Sequence, residues 1–225
     1  MKKNIVALLP MKGNSERVPN KNLRLFNGKP LYHRVLNQLQ KSKYIIDIVI
    51  NTDSDYIKKD IRGNFPNVII VDRPASIQGD FISMNEIIAY DIEQVTADIY
   101  LQTHSTSPLL NVNTVDNAIE KFLKSLPQND SLFTVTSLYS RFYWGDGSPI
   151  NHNPAELLRT QDLPVIYEEN SNFYIFTNES FLNAGKKRIG LYPIMFPIDK
   201  IEAVDIDEPE DFLIAEAIHK LRFPL

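Results

Sequence analysis

A mostly parallel α/β sheet with helices on both faces is the fold this sequence predicts, and three observations predict it. Short β-branched runs alternate with longer amphipathic stretches; such alternation demands crossover connections and hence parallel strands. The candidate strand Ile45 to Ile50 is nearly all apolar rather than alternating, as expected of a strand covered on both faces. No linker or internal repeat splits residues 1–225, a length that suits one domain with its own core.

The first strand is Ile5 to Leu9, followed by a polar loop from Pro10 to Asn22. Pro30 opens an amphipathic stretch with Leu31, Val35, Leu36 and Leu39 at helical spacing, and proline suits a first helical turn. Ile45 to Ile50 forms the second strand, after which Asp53 or Ser54 can cap a short helix. Val68 to Val71 is the third strand. Ser83 to Val95 reads as a helix with Ile87, Ile88 and Ile92 on one face. Asp98 to Leu101 is the fourth strand, Asn111 to Leu126 a helix, and Leu132 to Val135 the fifth strand. The pattern breaks at about 139–164, where Trp144, glycines and prolines read as a hairpin, a lid or a contact arm. The core resumes with Phe173 to Phe176. Glu202 to Ile206 reads as a further strand, and Pro209 to Leu221 as a closing helix with Phe212, Ile214, Ala215, Ile218 and Leu221 as its apolar positions.

Composition removes several function classes. With 43% hydrophobic and 23% charged residues the chain is ordinary for a globular protein, not a low-complexity one. A net charge of −4 argues against generic nucleic-acid binding but permits a local basic site. The absence of cysteine excludes disulfides, thiolate zinc sites and a cysteine nucleophile. The apolar run after Met1-Lys2-Lys3-Asn4 is too short for a signal peptide, and no stretch reaches transmembrane length; a cytoplasmic location is expected. On that reading Asn129-Asp130-Ser131 and Asn178-Glu179-Ser180 match a glycosylation pattern by chance.

Ligands of open parallel sheets bind at the carboxyl ends of the strands, and four segments fall there. The loop after the first strand carries Lys12, Arg17 and Lys21, three cations able to neutralise a polyphosphate. Gly13 permits an unusual backbone angle, so that N–H groups can converge on an anion. The loop has neither GxxxxGK[ST] nor GxGxxG, and its composition alone also fits a solvated surface loop. In Ala203 to Glu208, strand alternation places Asp205 and Asp207 on one face, where two carboxylates repel unless a cation such as Mg²⁺ lies between them. A complement to the closing helix's macrodipole accounts equally for Asp207 and Glu208, but not for Asp205. Arg73, beside Pro74 and followed by Gly79-Asp80 and Ser83, offers paired donors that suit a cytosine edge; a surface ion pair is the alternative. Gln102-Thr103-His104-Ser105-Thr106-Ser107 is rich in hydroxyls, and His104 could ligate, transfer protons or merely be solvated. No GxSxG or other nucleophilic triad is present, and phosphoryl transfer needs none.

Taken together and in order, these segments resemble the CMP-acylneuraminate synthetase (acylneuraminate cytidylyltransferase) family over nearly the whole chain. Lys12-Gly13-Asn14-Ser15-Glu16-Arg17-Val18-Pro19-Asn20-Lys21-Asn22 is similar to that family's basic-Gly-x-Ser-x-x-hydrophobic-Pro-x-Lys-Asn pattern. Asn51-Thr52-Asp53, Arg73-Pro74-Ala75, Thr106-Ser107-Pro108-Leu109, Asn170 with Asn172 to Ile175, and Val204 to Asp207 follow.

The resemblance implies a Rossmann-like fold, Mg²⁺ dependence, a homodimer, and transfer of CMP from CTP to an acidic sugar. By it, Lys12 and Lys21 contact phosphate; Asn22, Arg73 and Ser83 read the nucleoside; Gln102 touches the acceptor; Asp205 and Asp207 bind metal. Phe142-Tyr143-Trp144 lies where the family has its dimerisation arm. The chain departs from the family at Glu16-Arg17, where Lys-Gly is common; related Kdo cytidylyltransferases carry Arg at the second position, so Arg17 can replace the missing Lys. Glu168-Glu169 precedes Asn170 where sialate enzymes have Arg, and two acids there repel a sugar carboxylate. Two extra residues precede Thr106-Ser107-Pro108. The departures gather on the acceptor side. Competing expectations are the same chemistry on Kdo or another acid, a nucleotide-sugar glycosyltransferase, and a non-catalytic nucleotide-binding homologue.

Overall fold

The computed structural model of the chain describes residues 3–222; positions 1–2 and 223–225, the ends of the expected single domain, lie outside the described residues. Among these, one sheet of seven strands carries the fold, with β1 (Ile5–Leu8), β4 (Ile45–Thr52), β5 (Ile69–Asp72), β6 (Ile99–Thr103), β7 (Ser131–Leu138), β8 (Ile166–Phe176) and β9 (Pro193–Pro197). Their order is β5-β4-β1-β6-β8-β7-β9. β8 alone runs against the rest, antiparallel to both β6 and β7. A small hairpin of β2 (Leu25–Phe26) and β3 (Lys29–Pro30) stands apart from the sheet.

The apolar run of β1 splits by parity, as two covered faces require. Ile5 and Ala7 join a core with Val35 and Leu36 of α1 (Tyr32–Leu39), Ile57 of α2 (Asp55–Asn64), and Ile119 and Phe122 of α4 (Val112–Ser125). Val6 and Leu8 pack on the other side with Ile88 of α3 (Met84–Gln94) and Phe181 of α5 (Asn178–Asn183). A third cluster packs Phe212 and Ala215 of α6 (Pro209–Arg222) against Phe26, Leu31 and Ile206. This last cluster brings the chain's end to the mouth of the sheet.

Two expectations need correction, and two elements, β9 and α5, were not expected. Pro30 does not open a helix: it pairs with Leu25, and the Leu31 N–H closes that hairpin on Arg24 O at 3.0 Å, so α1 starts at Tyr32. Glu202 to Ile206 is not a strand. The N–H groups of Ala203 and Val204 turn back to Asp199 O and Ile201 O, and Ile206 N–H is taken by Thr106 O at 2.9 Å. β9 replaces it in the sheet. Its flanking prolines obscure it in the sequence, yet an edge strand tolerates proline. The short helix α5, capped by Thr177, was also not foreseen. Residues 139–164 leave the sheet between β7 and β8. Buried Asn151 staples their base, donating to Ser140 O and Pro164 O at 2.8 and 2.9 Å and accepting from Phe142 N–H.

Candidate active site

The chain turns outward from β1 to β4 and β5, then returns to place β6 on β1's other side. The crevice outside the carboxyl ends of β1 and β6 is therefore the topological switch point, where such sheets bind ligands. A cavity of about 420 Å³ lies there. Lys12, Arg17, Lys21, Asn22, Arg73 and Asp207 all line it, so one site collects six of the residues singled out by sequence.

The basic loop is tied at both ends. Met11 bridges to Thr52 on β4, and buried Asn22 donates to Lys12 O at 2.9 Å while accepting from Ser105 Oγ at 2.6 Å. Asn22 thus braces the loop across the crevice. Gly13 is required for a different reason from the one expected. Its φ is not positive; a Cβ there would meet Ser54 Cβ at 2.8 Å, and its N–H is given to Asp53 Oδ1 at 2.6 Å. The left-handed residue of the loop is Asn20, at φ 53°.

Each loop cation faces an acid. Lys12 bonds Asp80, which holds that carboxyl below its usual range. Arg17 donates to Asp207 Oδ1 at 2.6 Å and to Glu208 Oε1 at 3.1 Å, which raises its own pKa. Lys21 donates to Ile206 O and lies 3.9 Å from Asp207 Oδ1. Burial lowers the Lys21 pKa, against the pull of Asp207 and Asp205. The Asp205 carboxyl is pushed up, first by lost hydration and then by the Asp207 charge, while Thr106 and Lys21 oppose this. Asp205 as a residue is exposed, so neighbouring groups crowd its carboxyl rather than enclose it. The two aspartates are neighbours in an extended segment pinned to Thr106, not residues of one strand face.

Arg73 is buried and aimed by a relay. Its Nε donates to Asn51 Oδ1 at 2.7 Å and its Nη2 to Asn51 O at 3.1 Å; Asn51 Nδ2 in turn donates to Asp91 Oδ1 at 2.6 Å. Asp91 is wholly buried, its second oxygen has no partner, and its carboxyl is pushed up to about 7 by desolvation. Four predicted residues do not line the cavity: Gly13, Asp205, Ser83 and Gln102. Ser83 is the N-cap of α3, in a reciprocal capping box with Glu86. Gln102 is fully buried, donating to Thr103 O at 2.8 Å and accepting from Arg188 Nη1 at 2.8 Å.

His104 lines the cavity, yet burial and the nearby charges of Arg188 and Lys21 push its pKa down to about 3. It is a neutral hydrogen-bonding group at ordinary pH, not a proton carrier. Sequence reasoning missed Asp91 and Arg188. Asp91 carried a signal, since it follows Ile87 and Ile88 by four and three residues on the buried face of α3. Arg188 carried none, because Lys186-Lys187-Arg188 reads as a solvated basic run.

A sequence model of the cytidylyltransferase family matches residues 6–222. The chain is 25% identical over 230 residues to a pseudaminic acid cytidylyltransferase of Campylobacter jejuni, with 96% of each chain covered. It is 26% identical over 234 residues to a CMP-N,N'-diacetyllegionaminic acid synthase of Legionella pneumophila, covering 96% of this chain and 97% of that one. Its fold is similar to that of a solved CMP:2-keto-3-deoxy-manno-octonic acid synthetase complexed with CTP. The TM-score is 0.74 over 98% of this chain and 100% of that one, at 14% identity. The chain belongs to the cytidylyltransferase family.

Proposed function

We propose that this member of the cytidylyltransferase family transfers CMP from CTP to a nonulosonic acid and releases pyrophosphate. One observation carries the reading: three cations gather at a cavity at the switch point of the sheet, Arg17 and Lys21 against the acidic segment 205–208 and Lys12 against Asp80. Relatives that act on pseudaminic and legionaminic acids support the acceptor class. In this reading the triphosphate displaces Asp80 from Lys12 and Asp207 and Glu208 from Arg17. The cations then stabilise the charge that grows as pyrophosphate leaves. Arg73, held by Asn51, presents its remaining donors to the base. Asn22 and Gly13 keep the loop in place, and Ser83 serves as a cap rather than a contact.

Asp205 and Asp207 are the residues that would hold Mg²⁺. The fit rests on their chemistry: two hard oxygen donors two residues apart, the Asp205 carboxyl raised first by burial and then by the Asp207 charge. Among the described residues no cluster of three or more acidic or histidine side chains forms a metal site. Two protein carboxylates plus phosphate and water are a donor set typical for this ion. When bound, the ion supplies neutralisation of charge on the phosphate oxygens. Once Arg17 turns to phosphate, Asp207 loses its nearer counter-charge and keeps only the more distant Lys21.

We further propose a homodimer through residues 139–164, where Tyr139, Tyr143, Trp144, Leu157 and Leu158 are exposed. Light scattering tests it, and a monomer at all concentrations counts against it. A cytoplasmic site of action agrees with the nucleotide substrate; among the described residues no helix is long and apolar enough to cross a membrane. The function is tested by pyrophosphate release with CTP, Mg²⁺ and a panel of pseudaminic, legionaminic, sialic and Kdo acids. Release that needs both CTP and one acid is the expected result. No release with any of these acids, despite CTP binding, leads away from this acceptor class; no CTP binding overturns the reading.

A further inference from the structure

Behind His104, away from the phosphate-facing loop, lies a second cation. Arg188, from the stretch between α5 and β9, stacks on Tyr174 with its guanidinium carbon 3.7 Å from the ring centroid. Its Nη1 donates to Gln102 Oε1 at 2.8 Å and lies 3.4 Å from His104 Nε2; its Nη2 donates to Tyr174 Oη at 3.1 Å. These neighbours are a carboxamide, a phenol and a neutral imidazole. Among the described residues Arg188 pairs with no carboxylate. The nearest acid of the group, Glu169, is held at one remove by the Tyr174 hydroxyl. A half-buried guanidinium without a direct counter-ion is costly unless an anion arrives. Stacking fixes its plane in advance, which suits a planar bidentate anion better than a phosphate already served by the loop.

We propose that Arg188 receives the carboxylate of the acidic acceptor; the inference rests on the cytidylyltransferase reading above. It accounts for Glu168-Glu169 standing where an arginine was expected. The cation comes from a different segment, and Glu169 is occupied with Tyr174. It also gives buried Gln102 a part, as the amide that orients Arg188.

The test compares wild type, Arg188→Met and Arg188→Lys with the acid that supports turnover and with its methyl ester, which keeps the sugar and removes the charge. Wild type should favour the acid over the ester. Arg188→Met should lose roughly 10–100-fold in kcat/KM for the acid, as for a hydrogen bond to a charged group. The loss should fall mostly in acceptor KM, with CTP KM and the rate on the ester within about threefold. Arg188→Lys should keep part of the preference. An unchanged preference for the acid in Arg188→Met overturns the inference and leaves the functional reading intact. Wild type without turnover on any acid overturns both. If Arg188→Met does not fold by thermal unfolding, Arg188→Lys decides: full wild-type preference and acceptor KM there would overturn the bidentate role.

Discussion

On one side of the crevice, residues 10–22 and 205–208 present seven charged side chains, and every cation among them already faces an acid. Behind His104, which lines the crevice, Arg188 stands with Gln102 and Tyr174 without an acid in direct contact. Apart from part-buried Lys21, the first side is a set of exposed, solvent-screened pairs that a polyanion can exchange at little cost. The second is a stacked cation whose cost is met only by a ligand. Exchangeable pairs suit a triphosphate that must arrive and leave as pyrophosphate. A fixed cation suits selection among acceptors, since an unmet buried charge penalises the wrong ligand.

Removing a member of the exchangeable side should have the largest effect. Lys21→Ala takes away the one loop cation that is part-buried, where charge is least screened. Turnover should fall about a hundredfold, by analogy with a lost oxyanion donor at roughly 2–4 kcal/mol. Steady-state kinetics at saturating CTP measures it. Unchanged turnover would break the comparison, because the loop would then be a surface feature.

The relay behind Arg73 comes next, and its effect is on stability. Folded Asp91 titrates at about 7 and unfolded Asp91 at the ordinary carboxylate value. Between those limits the folded state holds a proton that the unfolded state has released. Stability therefore falls as pH rises from about 4 to 7 and is level above. Asp91→Asn keeps an acceptor for Asn51 and removes the titration. It should stabilise the protein by about 1–3 kcal/mol at pH 8 and by much less at pH 5. Urea unfolding at both values checks this; an advantage equal at pH 5 and 8 would show that Asp91 is already ionised in the fold.

The two sides also differ in how much of them could be read beforehand. Whatever sits at or just after the end of a parallel strand was legible: the loop after β1, Asn51 to Asp53 at the end of β4 and Arg73 after β5. Position in the chain fixes position in the crevice there. The pairing of Asp205 with Asp207 was legible as charge, though its strand was not real, because Ile206 is held by Thr106 and the third cluster instead of a ladder. Gly13 was found for the wrong reason, since close approach of Ser54 leaves no mark in the sequence. Arg188 reaches Gln102 across 86 positions through the unforeseen α5–β9 segment. Such a contact depends on tertiary packing alone.

Ser83 gives the smallest effect and the finest distinction between contact and support. The resemblance makes it a nucleoside contact, whereas its hydroxyl accepts from Glu86 N–H at 3.3 Å and its own N–H reaches Glu86 Oε1 at 3.2 Å. A lost cap should cost about 1 kcal/mol of stability. Ser83→Ala should lower the unfolding midpoint by that amount and leave CTP KM within about twofold. Ser83→Asp, a comparable cap, should restore the midpoint. If CTP KM instead rises tenfold in both variants while stability holds, Ser83 touches the nucleotide. The start of α3 would then have to move toward the cavity when CTP binds, and the nucleotide side would be less preformed than its paired charges suggest.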